Sequence, residues 1–84
     1  MIKKLRMVEV EWVDSCIDGG WRMKEAYLTN EGVAQCCSIG YLLRSSRKEV
    51  MMVQSQTNSG KVSDSISIPR SCVKKMRYLE VKER

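Results

Sequence analysis

The sequence contains neither histidine nor phenylalanine among its 84 residues. Hydrolases that activate a serine or cysteine nucleophile through a histidine base are therefore excluded. We expect a protein that is not an enzyme. Because phenylalanine is absent, the two tryptophans, three tyrosines and six methionines supply the large apolar side chains, and methionine should fill much of the core.

Long apolar runs are also absent. No stretch approaches the roughly 18 residues of a membrane span, and residues 1–6 carry charges without the apolar segment of a secretion signal. We therefore expect a soluble, cytoplasmic protein. Without an export signal, the four cysteines are expected to be reduced thiols that act as small buried apolar side chains; they are Cys16, Cys36, Cys37 and Cys72.

Metal ligands in useful spacings are missing too. A zinc site needs four ligands in paired spacings, whereas adjacent Cys36 and Cys37 in a strand would point to opposite faces. Glu9 and Glu11 share one face of a predicted strand, but a solvated outer face explains them better than an acid-base pair. No metal and no cofactor is expected.

What the sequence does contain is one small domain, 1–84, with 43% apolar residues and a net charge of +5. The apolar content predicts a packed core. The basic residues gather near the two ends of the chain, which favours attraction of phosphate groups, although a solvated basic surface explains the same pattern.

Apolar and polar residues alternate with a period of two in several stretches, which is typical of half-buried strands. In the first, Val8, Val10 and Trp12 are expected to face the core. In the last, Met76 and Tyr78 share one face of the strand, and basic residues share the other. The predicted strands are residues 7–13, 37–44, 49–56, 62–68 and 73–78.

The long connection after the first strand lacks alternation. Residues 21–28 predict a short helix, with Asp18 as a possible cap. Its apolar side chains, including Trp21 and Tyr27, could form a lid over the core or, alternatively, an exposed interaction surface. The lid is the favoured interpretation.

Two further signals complete the fold. Gly40 lies inside the second strand, where glycine often marks a bend or bulge. Pro69 ends the fourth strand, so residues 69–72 predict one tight helical turn before the fifth. The expected fold is mostly β, a small five-stranded barrel of the SH3-like or Sm-like kind, with one helix inserted after the first strand.

The chain also resembles small proteins encoded by bacteriophages and prophages, within the Sm-like class. The motifs that carry the resemblance are WVDS at 12–15, GW at 20–21, SIGYL at 38–42 and IPRSCV at 68–73. The resemblance implies a homo-oligomer, in many cases a ring paired through edge strands, that binds single-stranded RNA in the host cytoplasm. It places Arg70 where a phosphate or base contact would be useful.

The basic residues near the fifth strand predict a binding site for single-stranded RNA or a nucleotide. Tyr41 is the predicted stacking residue, with Tyr78 and Trp21 as alternatives. A protein-interaction module that acts on a host protein, or a phage protein that sequesters a host nucleotide signal, remains an alternative function. The predicted basic site comprises Arg70, Lys74, Lys75 and Arg77.

Overall fold

A computed structural model describes residues 4–17, 19–29 and 32–82 of the chain. The fold is mostly β, with five antiparallel strands in one sheet of order β4-β3-β2-β1-β5. The strands are β1 Met7–Asp14, β2 Ala34–Ser45, β3 Glu49–Gln56, β4 Val62–Pro69 and β5 Val73–Leu79.

All five predicted strands are confirmed, and β3 has the predicted bounds. The largest difference is in β2, which begins at Ala34 rather than Cys37 because β1 stays paired with it as far as Asp14 opposite Ala34. Local alternation could not reveal that extension, since it depends on the partner strand.

The core lies on the inner face of the sheet, which is the face that carries the buried side chains of β1. Val8 and Val10 are fully buried there, as predicted. The core cluster is Val8, Val10, Val50, Met52 and Ile68, and Trp12, Leu42, Cys72, Val73 and Met76 pack against it. Trp12 also donates a hydrogen bond from Nε1 to Ser38 Oγ at 3.0 Å.

Gly40 sits where two strands approach closely. A Cβ atom at this position would lie 3.0 Å from the carbonyl oxygen of Val53. The predicted irregularity is nearby, because the register of β2 with β3 shifts between Leu42 and Arg44. Glycine therefore lets β3 approach closely, because a Cβ atom here would require the Val53 carbonyl to shift by a few tenths of an ångström. The register shift follows this position in β2.

The sheet is open across the described residues, because no ladder joins β4 to β5 and these strands form its two edges. The predicted tight turn is confirmed as a 3-10 turn, Arg70–Cys72, between them. The amide of Arg70 donates a hydrogen bond to the carbonyl oxygen of Lys48 at 2.9 Å, which ties this turn to the β2–β3 connection.

The inserted helix is present but shorter than predicted. Helix α1 spans Lys24–Leu28, and Met23 occupies its N-cap position without a side-chain hydrogen bond, while Asp18 lies outside the described residues. Among the described residues, no helix has the length and apolar character needed to cross a membrane.

The prediction that the helix covers the core is wrong. Trp21 is fully exposed, Met23 and Leu28 are each 76% exposed, and α1 has no buried residue. Because β1 and β2 remain paired to their far ends, the connection leaves the sheet away from the core cluster. The alternative interpretation, an exposed apolar segment, fits these exposures.

The cysteines are free thiols, but their predicted burial is wrong for two of them. Cys16 and Cys37 are exposed, whereas Cys36 and Cys72 are half-buried. Cys37 is exposed because it pairs with Glu11 on the face opposite the core, and Cys16 follows the end of β1.

Candidate functional site

The predicted basic strand lies beside two carboxylates on the outer face, which is the face opposite the core. The register of β1 with β5 places Glu9 opposite Arg77 and Glu11 opposite Lys75. Directly opposed strand residues share one face of a sheet. The outer face of these strands is therefore a mixed surface in which two cations alternate with two anions.

Arg77 bridges both carboxylates. Its Nε lies 3.0 Å from Glu9 Oε1, and its Nη2 lies 3.0 Å from Glu11 Oε2. The Arg77 and Glu11 side chains are each 46% exposed, so solvent screens the attraction and the network contributes on the order of 1 kcal/mol or less. The Arg77 side chain consequently lies along the sheet surface, and the two glutamates offset its positive charge.

Cys37 joins this surface from β2, where it pairs with Glu11. Partial desolvation on the sheet raises the pKa of the Cys37 thiol, and the negative charges of Glu9 and Glu11 raise it further, against a lowering effect of Arg77. The thiol is therefore favoured over the nucleophilic thiolate, even though the side chain is exposed.

Lys74 and Lys75 share a groove near the end of this surface. The Lys74 ammonium donates a hydrogen bond to Gln35 Oε1 at 3.3 Å. The groove has a volume of about 420 Å³ and is lined by Glu11, Trp12, Gln35, Cys36, Cys37, Lys74 and Lys75. These two lysines are the predicted basic residues that the fold brings together most directly.

Arg70 has a different environment. Its Nε donates a hydrogen bond to the carbonyl oxygen of Ser46 at 2.9 Å, and its Nη2 donates to Ser45 Oγ at 2.6 Å. The side chain thus braces the β2–β3 connection against the 3-10 turn. Because two donor groups of Arg70 already form hydrogen bonds within the chain, the Arg70 side chain is less available to a ligand.

Tyr41, the predicted stacking residue, lies on the outer face. It is half-buried between Met7 of β1 and Val53 of β3, which are its partners in the two ladders. Tyr41 therefore shares the outer face of the sheet with Lys75 and Arg77. It is not adjacent to them, because β1, with Met7 and Glu9, lies between β2 and β5.

A second cationic surface, formed by Lys4 and Arg6 beside Tyr78, was not predicted from the sequence. The Arg6 guanidinium lies over the Tyr78 ring, with Cζ 3.8 Å from the ring centroid. A groove of about 310 Å³ is lined by Lys4, Leu5, Arg6, Leu42 and Tyr78. The sequence shows the basic N-terminal stretch and the alternation of β5. The contact between Arg6 and Tyr78 could not be predicted, because it depends on the pairing of β1 with β5.

In the β1–β2 connection, which holds the predicted interaction surface, Tyr27 of α1 contacts the residues before the helix. Tyr27 Oη donates a hydrogen bond to the carbonyl oxygen of Gly20 at 3.2 Å, and Tyr27 is 39% exposed. Trp21 extends fully into solvent. The other large exposed apolar side chains of this connection are Ile17, Met23, Leu28 and Val33.

No group of three or more residues suited to holding a metal ion occurs in the ranges 4–17, 19–29 and 32–82. Comparison of the chain with models of protein families finds no match, and comparisons with curated proteins and with solved structures find none either.

Proposed function

We propose that this chain is a non-enzymatic, Sm-like or SH3-like barrel protein of phage or prophage origin that forms a homo-oligomer and binds single-stranded RNA or a nucleotide. The observation that carries the proposal is that β5 is both a sheet edge and a basic strand. Oligomerisation and binding of an anionic ligand therefore involve the same strand.

The two open edges of the sheet support the proposed self-association. An edge strand presents unpaired backbone amides and carbonyls, which form a template for pairing with another chain. Along β4 nearly every residue is exposed, and it carries Asp64, whereas β5 carries lysines of the opposite charge. Pairing of β4 with the β5 strand of a second copy is a head-to-tail contact, which produces a ring when its rotation closes.

The phosphate-binding part of the proposal rests chiefly on Lys74 and Lys75. They share a groove, and neither forms an ion pair with a described carboxylate, although Glu11 also lines the groove. By contrast, Arg77 pairs with two glutamates and Arg70 uses two donor groups within the chain. Lysine ammonium groups along a surface bind a nucleic-acid backbone without reading its sequence.

The test is fluorescence anisotropy with a labelled single-stranded RNA at several salt concentrations. Lys74→Ala with Lys75→Ala should weaken binding and reduce the salt slope by roughly 1.4, about 0.7 for each lost phosphate contact. Lys24→Ala with Lys61→Ala removes the same charge from α1 and from the β3–β4 connection, and serves as the matched control.

Equal salt slopes for the two double variants would contradict the assignment of the RNA site. The oligomeric state is measured separately, by native mass spectrometry of the protein purified from its host cytoplasm. An oligomer with additional nucleotide-sized mass supports both parts of the proposal, whereas a bare monomer contradicts self-association through β4 and β5.

The exposure of the β1–β2 connection favours a second candidate function, docking on a host protein. Trp21 is fully exposed, and tryptophan is among the residues that dominate protein interfaces. Capture of one host polypeptide that is insensitive to salt, and that is lost in Trp21→Ser but not in Lys74→Ala with Lys75→Ala, would favour this function over RNA binding.

A further inference from the structure

The groove beside Tyr78 is formed where three parts of the chain converge. The amide of Leu42 in β2 donates a hydrogen bond to the carbonyl oxygen of Arg6 at 2.7 Å, which fixes the backbone just before β1. Val8 pairs with Tyr78, so the end of β5 lies next to the start of β1. Arg6 and Tyr78 are thus held by main-chain contacts.

The Arg6 guanidinium is ordered by the Tyr78 ring, with Cζ 3.8 Å from the ring centroid. A guanidinium stacked in this way keeps its charge and loses less freedom when its N–H groups bind a ligand. Lys4 supplies a second cation, and the five lining residues include no acid.

This environment differs from that of Arg77 on β5. Arg77 is neutralised by Glu9 and Glu11. By contrast, no carboxylate of the described residues lies within ion-pair distance of Arg6 or Lys4. Within the part of the chain that the structure describes, Arg6 and Lys4 are therefore not held in ion pairs, whereas Arg77 is.

The rest of the groove is apolar. Leu5 and Leu42 are half-buried, and Tyr78 is 46% exposed. The volume of about 310 Å³ is at the lower end of the range for small-molecule pockets, which is roughly 300–1,000 Å³. A ligand that combines a compact anion with a flat apolar group suits this groove. A nucleotide has both parts, and nucleobases stack on aromatic rings and on guanidinium planes.

We propose that Lys4, Arg6 and Tyr78 form a binding site for a nucleoside 5′-monophosphate, in which the N–H groups of the two cations hold the phosphate and the base packs beside the Arg6–Tyr78 stack, against the two leucines. The inference shares its class of ligand with the proposed function. It places that ligand on the inner-face side of β5, away from Lys75 and Arg77, so the two sites can be tested separately.

The experiment is isothermal titration calorimetry of the full chain with AMP, adenosine and inorganic phosphate. AMP should bind at least tenfold more tightly than either fragment, because each fragment engages only part of the groove. Absence of AMP binding would overturn the inference. Inorganic phosphate binding as tightly as AMP would also overturn it, since the apolar residues would then contribute nothing.

Arg6→Gln and Lys4→Gln should each weaken AMP binding at least tenfold, and Lys61→Gln, which removes one charge from the β3–β4 connection, should not. Tyr78→Leu tests the ring, and thermal unfolding of each variant checks its fold. If Tyr78→Leu does not fold, the two glutamine variants decide the outcome. Unchanged AMP affinity in Arg6→Gln would overturn the inference.

Two sources of the ligand are distinguished with a five-residue oligoadenylate, with and without a 5′-phosphate. If the 5′-phosphorylated strand binds with the same affinity as AMP, the ligand is a free nucleotide. If this strand binds more tightly than AMP, the ligand is the end of an RNA. Equal binding of both strands would overturn the site. Loss of AMP binding in Arg6→Gln, with no effect of Lys74→Ala and Lys75→Ala on RNA, supports this inference while refuting the proposed RNA site.

Discussion

Substitution of Gly40 by alanine tests whether the close approach of β2 and β3 is a real constraint on this fold. The added Cβ would meet the Val53 carbonyl oxygen at 3.0 Å and the Met52 Cβ at 3.4 Å. The nearest atom belongs to the backbone, so it cannot move away by a change of rotamer. The strands must separate locally, at the edge of the buried pair Met52 and Val53.

The expected magnitude follows from two opposing effects. Overpacking of a well-packed site costs about 1 to 3 kcal/mol. Replacement of glycine by alanine reduces the entropy of the unfolded chain, which stabilises the fold by about 0.4 to 1 kcal/mol. We therefore expect Gly40→Ala to lower the free energy of unfolding by about 1 to 2 kcal/mol, or the melting temperature by roughly 4 to 16 °C for a domain of this size.

Gly19→Ala is the matched control, because a Cβ at Gly19 meets no atom within 4 Å. It carries the same entropic gain without the clash, so it should leave stability unchanged or slightly increased. The assay is urea unfolding followed by circular dichroism, with all proteins at one concentration because association shifts apparent stability. A Gly40→Ala variant as stable as Gly19→Ala would refute the packing argument.

Four further predictions concern the surface. Glu9→Gln should lower the pKa of Cys37 and speed its alkylation relative to Cys16, as measured by mass spectrometry over a pH series; an unchanged rate ratio would contradict the coupling. Because the folded-state pKa of this thiol is raised, its contribution to stability is present below the unfolded pKa and is lost as pH rises through the folded value, so unfolding curves of Cys37→Ser should lack that alkaline loss. Trp21→Ser should change the free energy of unfolding by no more than about 0.5 kcal/mol, since the side chain is fully exposed; a larger loss in urea unfolding would mean that it packs in solution. Arg77→Met should cost roughly 1 kcal/mol or less and make stability less sensitive to salt, and a salt response equal to that of the wild type would contradict the ion-pair network.

Much of the strand pattern was predictable because its cause is local. Val8 and Val10 face the core as their alternation indicates, and β3 has the predicted bounds because residues 50–53 are apolar on both faces. Pro69 lacks an amide donor, so the end of β4 and the following turn were also predictable. The helix was harder to predict, because α1 is short and has no buried face that would produce a helical period.

The candidate site was predicted only in part. Lys74 and Lys75 share a groove although neighbouring strand residues usually point to opposite faces, and the register of β1 with β5 shifts beside them, between Glu11 and Trp12. The involvement of Arg70 with Ser45 and Ser46 was not visible, because those residues lie far away in the chain. The same holds for the exposure of Trp21, which depends on how far β1 and β2 stay paired.

By itself, the sequence determined which segments are strands, where the tight turn lies and which side chains of each strand share a face. These properties follow from a period of two residues and from backbone restrictions that act over a few bonds. Only the tertiary structure decided which strands are neighbours. The pairing of β1 with β5 sets Glu9 and Glu11 against Arg77, and it brings Arg6 onto Tyr78, because residues from opposite ends of the chain meet only when the sheet is assembled.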